Sequence, residues 1–506
     1  MRPSSQSIQH VFVLMLENRS FDHMLGFSGI TGTDAETGRP TKINGLMGSE
    51  FNTYQGIRYP VTRPADNTMP VCPGHDFPDV LEQLAGPGVS YPKGGAYPPI
   101  VNTGFVHSYA AAMKKTSHAE GDLSPGELMK CYEPSQLPVL TTLAREFAVC
   151  DRWFSSLPGP TWPNRFFVNA ASSGGLDHSP SHAEILDWEA NPLGGFVFQN
   201  GSLFTQESLQ WRIYAGGLFC IAHAMSGVHV KDIRPYGHFA NDLQGPYTAQ
   251  YTFIEPNYGD LADDSYRGGN SQHPLDDVRH GEALIKATYE AIRNSPLWNN
   301  SLLIITWDEH GGFYDSALPP GAPAPGDTQR MPGVNQSGFT FQQYGVRVPA
   351  VIVSPRIAQN VIDHRLYDHA SVPATVEALF GLSPMTQRDA SANNVLPLAT
   401  LSTPRTDCPT RLPSPMAPAP QPAPLRQPKL PAPADPLGEG NLPGFLHIAM
   451  RSDLELSPPS AQSAIFARVK AIQTRAEAEK YMREVSQKLL AFHEEALPSW
   501  GLPADA

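Results

Sequence analysis

Positive charge is scarce in this chain. Lys and Arg number 36 against 49 Asp and Glu over 506 residues, a formal net charge of −13. That balance speaks against nucleic acid as a partner and against a polybasic membrane anchor. Cysteine is scarce too: Cys72, Cys131, Cys150, Cys220 and Cys408 stand singly, with no C-x-x-C spacing. Zinc-finger sites and a disulfide framework are thereby set aside. No apolar run approaches the roughly 18 residues of a membrane span. The run at 11–16 is too short for a signal-peptide core. The expectation is a chain without a transmembrane segment, in at most peripheral contact with a membrane. It is cytoplasmic, or secreted with a leader removed. Its oligomeric state is not legible.

What the chain does have is buried-strand sequence that stops at acidic residues. Val11–Leu16 is followed at once by Glu17-Asn18-Arg19-Ser20-Phe21-Asp22. Nearly three hundred residues on, Ser301–Trp307 runs into Asp308-Glu309-His310-Gly311-Gly312. Apolar runs without alternation read as strands covered on both faces. Carboxylates just past two such strands lie where open α/β sheets place their chemistry. Glu17, Asn18, Asp308 and Glu309 are hard oxygen ligands. They suit Ca²⁺ or Mg²⁺ best, with Mn²⁺ or Zn²⁺ as alternatives. The alternative for any one Asp-Glu pair is a helix cap or a solvated loop.

A third apolar run, 146–150, leads to Pro158-Gly159-Pro160-Thr161-Trp162-Pro163-Asn164. A hydroxyl in a Pro-braced turn before a helix can serve as a nucleophile, with helix N–H groups behind it for a phosphoryl oxygen. Taken alone the turn is ordinary. His75 and His273 stand in loops near the sheet edge, where a histidine can protonate a leaving alkoxide. Residues 277–294 read as an amphipathic helix capped by Asp276 or Asp277, and 348–353 as a further strand. The stretch 40–105 reads as long loops. Phe196, Phe198, Leu203, Phe204, Trp211 and Phe219 are candidates for an acyl-facing groove. Thirteen prolines fall between Pro404 and Pro443, the composition of an extended connector. Beyond it, two helices are expected. Thr474 with Glu477 forms a capping box for the second, whose apolar stripe is Met482, Val485, Leu489 and Phe492. Three segments result: 1–402, a linker at 403–444 and a helical region at 445–506.

Over about residues 8–385 the chain resembles the phosphoesterase family of bacterial phospholipases C, plant non-specific phospholipases C and related acid phosphatases. The matching segments are 17–22, 73–77, 146–154, 163–165, 253–256, 273–278, 289–296 and 307–315, in family order. The resemblance implies an α/β, alkaline-phosphatase-like doubly wound sheet with helices on both faces, followed here by a C-terminal helical extension. It implies one divalent cation on Glu17, Asn18, Asp308 and Glu309. Thr161 would be both ligand and nucleophile, and Asn164 a contact to a phosphoryl oxygen. His75 and His273 would touch the phosphate, and Glu255 and His310 would lie on the substrate side. The implied reaction cleaves phospholipid to diacylglycerol through a phosphothreonine intermediate. A phosphomonoesterase acting on small phosphoesters is the alternative, and a non-catalytic metal-binding interaction protein a third.

Overall fold

The two runs that end in acid are neighbours in space. His10–Leu16 pairs in parallel with Ser301–Trp307, His10 against Ser301 through to Leu16 against Trp307. On its other edge it pairs in parallel with Tyr251–Glu255. Every residue of the three strands is buried, which is why their sequences carry no polar alternation. A computed structural model places them in a ten-stranded sheet and describes residues 7–115, 123–182, 184, 195–327, 333–417, 431–438 and 440–496. From one edge the order is Pro40–Lys42, Thr31–Asp34, Val361–Asp363, Ala148–Cys150, Ala350–Val353, Ser301–Trp307, His10–Leu16, Tyr251–Glu255, Trp211–Ala215 and Ile233–Pro235.

The sheet is mixed. Ala350–Val353 runs antiparallel to both neighbours, and Pro40–Lys42 closes one edge antiparallel to its partner. A doubly wound reading leads to parallel strands throughout. An apolar run of four residues reads the same in either direction, so its sense is set by the chain's route.

Helices cover both faces. Phe12 and Thr252 are register partners, as are Val11 and Tyr251, and alternation sends the two pairs to opposite sides. On one side Phe12 meets Phe239, which stacks on Tyr236, whose hydroxyl bonds Thr288 of the helix Val278–Arg293. On the other, the Tyr251 hydroxyl donates to Asn169 of the helix Thr161–Ala170. Asp277 caps the 278–293 helix by accepting from the Arg279 N–H, one of the two capping residues expected.

The stretch 40–105 is more ordered than its composition suggests. It holds a hairpin, Phe51–Tyr54 with Ile57–Pro60, and the helix Phe77–Ala85 with Pro in its first turn. The hairpin turn is Gln55-Gly56, both at positive φ, the two-residue geometry that matches strand twist. Phe196, Phe198, Leu203 and Phe204 belong to the core. Phe196 and Phe198 pack on Phe166, and Phe204 on Trp211 and Tyr251. Aromatic density alone does not separate a core from a lining.

The C-terminal region corrects the reading of its boundary. Helix Asn441–Glu455 opens inside the segment 403–444 taken as linker. Phe445 and Ile448 enter the main core, while Leu442, Leu446, Ala449 and Met450 form a second one with Ile465, Val469, Tyr481, Val485 and Leu489. A helix buried on opposite sides has no single apolar stripe, so periodicity does not mark it. The helices Gln462–Lys470 and Arg475–Ala496 follow. Glu477 accepts from the Thr474 N–H, and Thr474 Oγ1 accepts from the Glu477 N–H, completing the capping box. Upstream, the first part of the Pro-rich segment lies along the 278–293 helix. Tyr289 donates to the Pro409 carbonyl at 2.6 Å, and Arg293 donates to Cys408 at 3.0 Å. Residues 418–430 of that segment lie outside the described residues.

Gly444 fixes how closely the extension seats. A Cβ there would lie 2.2 Å from Cζ2 of Trp162, the residue after Thr161. Gly444→Val should therefore cost about 1–3 kcal/mol by overpacking. Thermal unfolding followed by near-ultraviolet dichroism should show a Tm lower by several degrees; an unchanged Tm would mean the contact yields freely.

Candidate active site

The ends of the two central strands converge on one hydroxyl. Glu17, Asn18, Asp308, Glu309 and Thr161 are all buried. Asn18 sits at φ +60, a left-handed conformation. This turns its N–H onto Asp308 Oδ1 at 2.9 Å and its Oδ1 toward Thr161, whose Oγ1 donates to it at 3.1 Å. Gly311, at φ +64, completes the fit, since a Cβ there would lie 2.2 Å from the Asn18 carbonyl oxygen. Its N–H donates to Glu309 Oε2 at 2.8 Å.

Thr161 is the first residue of its helix, after Pro160 in extended conformation. The preceding loop is tied down by Asn164. Its Oδ1 accepts from the Leu157 N–H at 3.2 Å, and its Nδ2 donates to the Gly159 and Pro160 carbonyls, each at 3.0 Å. The side chain thereby braces the turn that carries Thr161. Glu255 is engaged by its own surroundings. Its carboxylate accepts from the Ile221 and Ala222 N–H groups and the Tyr258 hydroxyl at 2.7–2.9 Å and so anchors a short turn. His310 is buried, with Nδ1 3.2 Å from Glu309 and Nε2 2.7 Å from Gln83 Oε1, so it orients Glu309 from behind.

Electrostatics single out the carboxylates. Arg165 donates to Asp308 Oδ2 at 2.9 Å and to the Leu16 carbonyl at 2.8 Å. Burial lifts Asp308 to about 6, with Arg165 pulling the other way. Burial, and then the charge of Asp308, lift Glu17 to about 8. Glu17 Oε2 and Glu309 Oε1 are buried with no hydrogen-bond donor. Buried anionic oxygens without donors are costly unless a cation meets them. Among the described residues no three His, Cys, Asp or Glu side chains group as a metal cage. The available set is mixed: two carboxylate oxygens without donors, the Asn18 amide oxygen, the Thr161 hydroxyl and Asp308. Such an all-oxygen set fits a hard divalent cation.

The two histidines are driven apart. His75 and His273 lie with ring centroids 6.3 Å apart. Burial pulls His75 down, but Glu309 and its hydrogen bond with Cys72 outweigh that and hold it well above the usual range. Burial, then His75 and Arg19, hold His273 well below it. His273 is fixed by stacking on Tyr266 at 3.4 Å and by Cys72 Sγ at 3.6 Å. Neighbouring groups pushed in opposite directions suit one charged donor beside one neutral partner.

Asn441 was not legible beforehand. From the C-terminal helix its Nδ2 donates to Glu17 Oε1 at 3.2 Å and to Tyr266 at 3.0 Å, while its Oδ1 accepts from Trp162 at 2.9 Å. No local pattern around residue 441 signals this. Arg165 stood inside a matched segment without a role.

If Asn164 braces the turn, Asn164→Ala should remove its bonds to the Leu157 N–H and to the Leu157, Gly159 and Pro160 carbonyls. A loss of about 1–3 kcal/mol is expected, read as a lower urea midpoint at unchanged slope. Midpoints within error of each other would refute the brace.

The profile of the Phosphoesterase family matches residues 8–383. The chain is 37% identical to Non-specific phospholipase C6 of Arabidopsis thaliana over 438 residues, covering 80% of this chain and 75% of that protein. It is 33% identical to Non-specific phospholipase C3 of the same plant over 424 residues, 81% of this chain and 77% of that protein. It is 27% identical to Phospholipase C B of Mycobacterium tuberculosis over 407 residues, 74% of each. Among solved structures, a protein of the alkaline phosphatase superfamily from Vibrio parahaemolyticus superposes with a TM-score of 0.31 at 15% identity, over 53% of this chain and 65% of that one. The family profile covers most of the chain and includes both strand ends and the Thr161 turn, and the chain belongs to the Phosphoesterase family.

Proposed function

We propose that this protein is a phosphoric diester hydrolase of the phospholipase C type, cleaving phospholipid into diacylglycerol and a phosphorylated head group. The observation that carries the reading is the Thr161 hydroxyl. It is buried at a helix N-terminus, 3.1 Å from Oδ1 of Asn18, the sequence neighbour of Glu17, and Glu17 and Glu309 each hold a buried oxygen without a donor. The names of the plant and mycobacterial relatives support the choice of phospholipid.

Thr161 Oγ1 attacks phosphorus, its proton passing to solvent, while the bond to the glycerol oxygen breaks. His75 gives its proton to that departing oxygen. Its Nδ1 is held 2.9 Å from the Pro73 carbonyl, which leaves Nε2 to face the leaving group. The resulting phosphothreonine is then hydrolysed by water, whose oxygen bonds phosphorus as one of its protons returns to His75, while Thr161 Oγ1 departs and takes up a proton from solvent. N–H groups of the first turn of the 161–170 helix favour the negative phosphoryl group. Asn164 and Arg165 act through position: one holds the turn, the other holds Asp308. Glu17, Asn18, Asp308 and Glu309, with Thr161, would hold the divalent cation. When bound, it supplies the positive charge that lowers the hydroxyl pKa and neutralises the phosphoryl oxygens.

Thr161→Ala should fold normally and lose turnover by at least about a thousandfold, and Thr161→Ser should retain it. Phosphatidylcholine and p-nitrophenyl phosphate, assayed side by side with and without chelator, test the rest. Diacylglycerol release should exceed phosphate release from the monoester, and chelator should stop both. Higher efficiency on the monoester would install a phosphatase instead, and an alanine variant keeping a tenth of the rate would remove the covalent step.

A further inference from the structure

The carboxyl edge of the sheet holds a second hollow. Tyr251–Glu255, Trp211–Ala215 and Ile233–Pro235 run parallel to His10–Leu16. Their ends therefore open on the edge that also carries Glu17 and Asp308. There a cavity of about 570 Å³ lies between the segments after those strands and the helix Arg475–Ala496. That volume falls within the roughly 300–1,000 Å³ of small-molecule sites. None of Glu17, Asn18, Thr161, Asp308 and Glu309 lines it. Two buried rings of its wall, Tyr258 and Phe445, touch the supports of the Thr161 centre. The Arg165 guanidinium lies 5.2 Å from the Tyr258 ring, and Phe445 packs 5.0 Å from Tyr258 and 5.9 Å from Trp162. The cavity is a separate site beside that centre.

Its walls offer mostly carbon. Leu218, Phe219, Ile233 and Met482 are half-buried there, and Leu261 is buried. Phe219 is one of the residues expected from sequence to face an acyl chain. Phe219 and Met482 pack on the main core and on the second core of the C-terminal region alike, so the cavity sits in the seam between the two. The polar side chains of the walls are spent on the protein. Tyr258 donates to Glu255 at 2.7 Å, Tyr236 shares a hydrogen bond with Thr288 at 2.8 Å, and Ser486 donates to the Met482 carbonyl at 2.9 Å. Asn257 donates to the Gly268 carbonyl at 3.1 Å and accepts from the Gly259 N–H at 3.0 Å. A polar ligand body would give up water here and find few partners. Charge is left to Glu479, Arg483 and His493 on the helix 475–496 and to Asp260, which is exposed as Arg483 is. Arg483 pairs with Glu479. Both signs are present, so charge does not select the head group of a ligand.

We infer that this cavity binds an acyl chain, with the head group of its lipid left outside near Asp260 and Arg483. A flexible hydrocarbon needs no hydrogen bond and adapts to walls of Leu, Ile and Met side chains. The inference goes beyond the reaction proposed for Thr161 and does not rest on it. A chain seated in the seam touches both cores and holds the helical extension against the sheet.

The test uses the full chain and the fluorescent fatty acid cis-parinaric acid. The parent should bind the probe saturably, and its Tm should rise with probe concentration because the folded state alone holds the cavity. Lauric acid and lysophosphatidylcholine serve as competitors. Displacement by both makes the acyl chain the shared determinant, and displacement by one alone assigns the free acid or the phospholipid as its source. Displacement by neither overturns the proposal. Gly237→Trp and Ser486→Trp fill the cavity from the loop side and from the helix side. A Cβ at Gly237 meets nothing within 4 Å, and Ser486 is half-buried on its helix, so both variants should keep the parent's far-ultraviolet dichroism. Each should bind the probe at least about tenfold more weakly. Ser486→Trp decides the matter if Gly237→Trp does not fold. Folded variants that bind as the parent does place the probe elsewhere and overturn the proposal, as does a parent without saturable binding.

Discussion

Glu17, Asp22, Asp308, Glu309 and Asp315 are all buried, and a carboxylate out of water is tolerable only where cations or N–H groups meet it. Two arginines meet most of this demand. Arg165 holds Asp308, and Arg347 holds Asp22 and Asp315 at 2.9 Å each while also donating to the Asn44 and Asp151 carbonyls. Arg347 thus ties the segment after the first central strand to the segment after the second and to the end of the 148–150 strand. Glu17 and Glu309 are left with unmet oxygens. Both carboxylates follow the central strands, whose ends Asn18 joins to Thr161.

The site is rigid because its supports are main-chain bonds. The Arg19 N–H donates to the Glu309 carbonyl, and the Glu17 N–H to Ser271. Asn164 binds three carbonyls and an N–H of its own loop. The Thr161 hydroxyl is thereby held in one position, with little freedom left to lose.

The C-terminal helices belong to this arrangement. Asn441 bonds Glu17, Tyr266 and Trp162, and so touches a carboxylate of the site, the ring that stacks on His273 and the residue after the nucleophile. Glu455, at the far end of the same helix, accepts from the Val230 N–H and meets His223 at 3.1 Å. A helix fastened at both ends cannot leave without uncovering Trp162 and Phe445, both buried.

The sequence alone determined the central strands, their acidic ends, the 278–293 helix and the Thr161 turn. Each rests on local physics: unbroken apolar runs, a capping aspartate, a Pro-braced hydroxyl. Glu17, Asn18, Asp308 and Glu309 stood out as hard ligands just past strand ends, whereas the roles of Thr161, His75 and His273 came from the resemblance to the Phosphoesterase family. Tertiary structure decided what the remaining polar groups do. Asn164 bonds backbone groups of its own loop, and Glu255 bonds two backbone N–H groups and the Tyr258 hydroxyl, in loops whose path no local pattern fixes. The sense of Ala350–Val353, the core role of Phe196 and Phe198, and the reach of Asn441 to Glu17 likewise depend on contacts far apart in sequence. Residues 17 and 441 meet only once the helical extension has closed over the sheet.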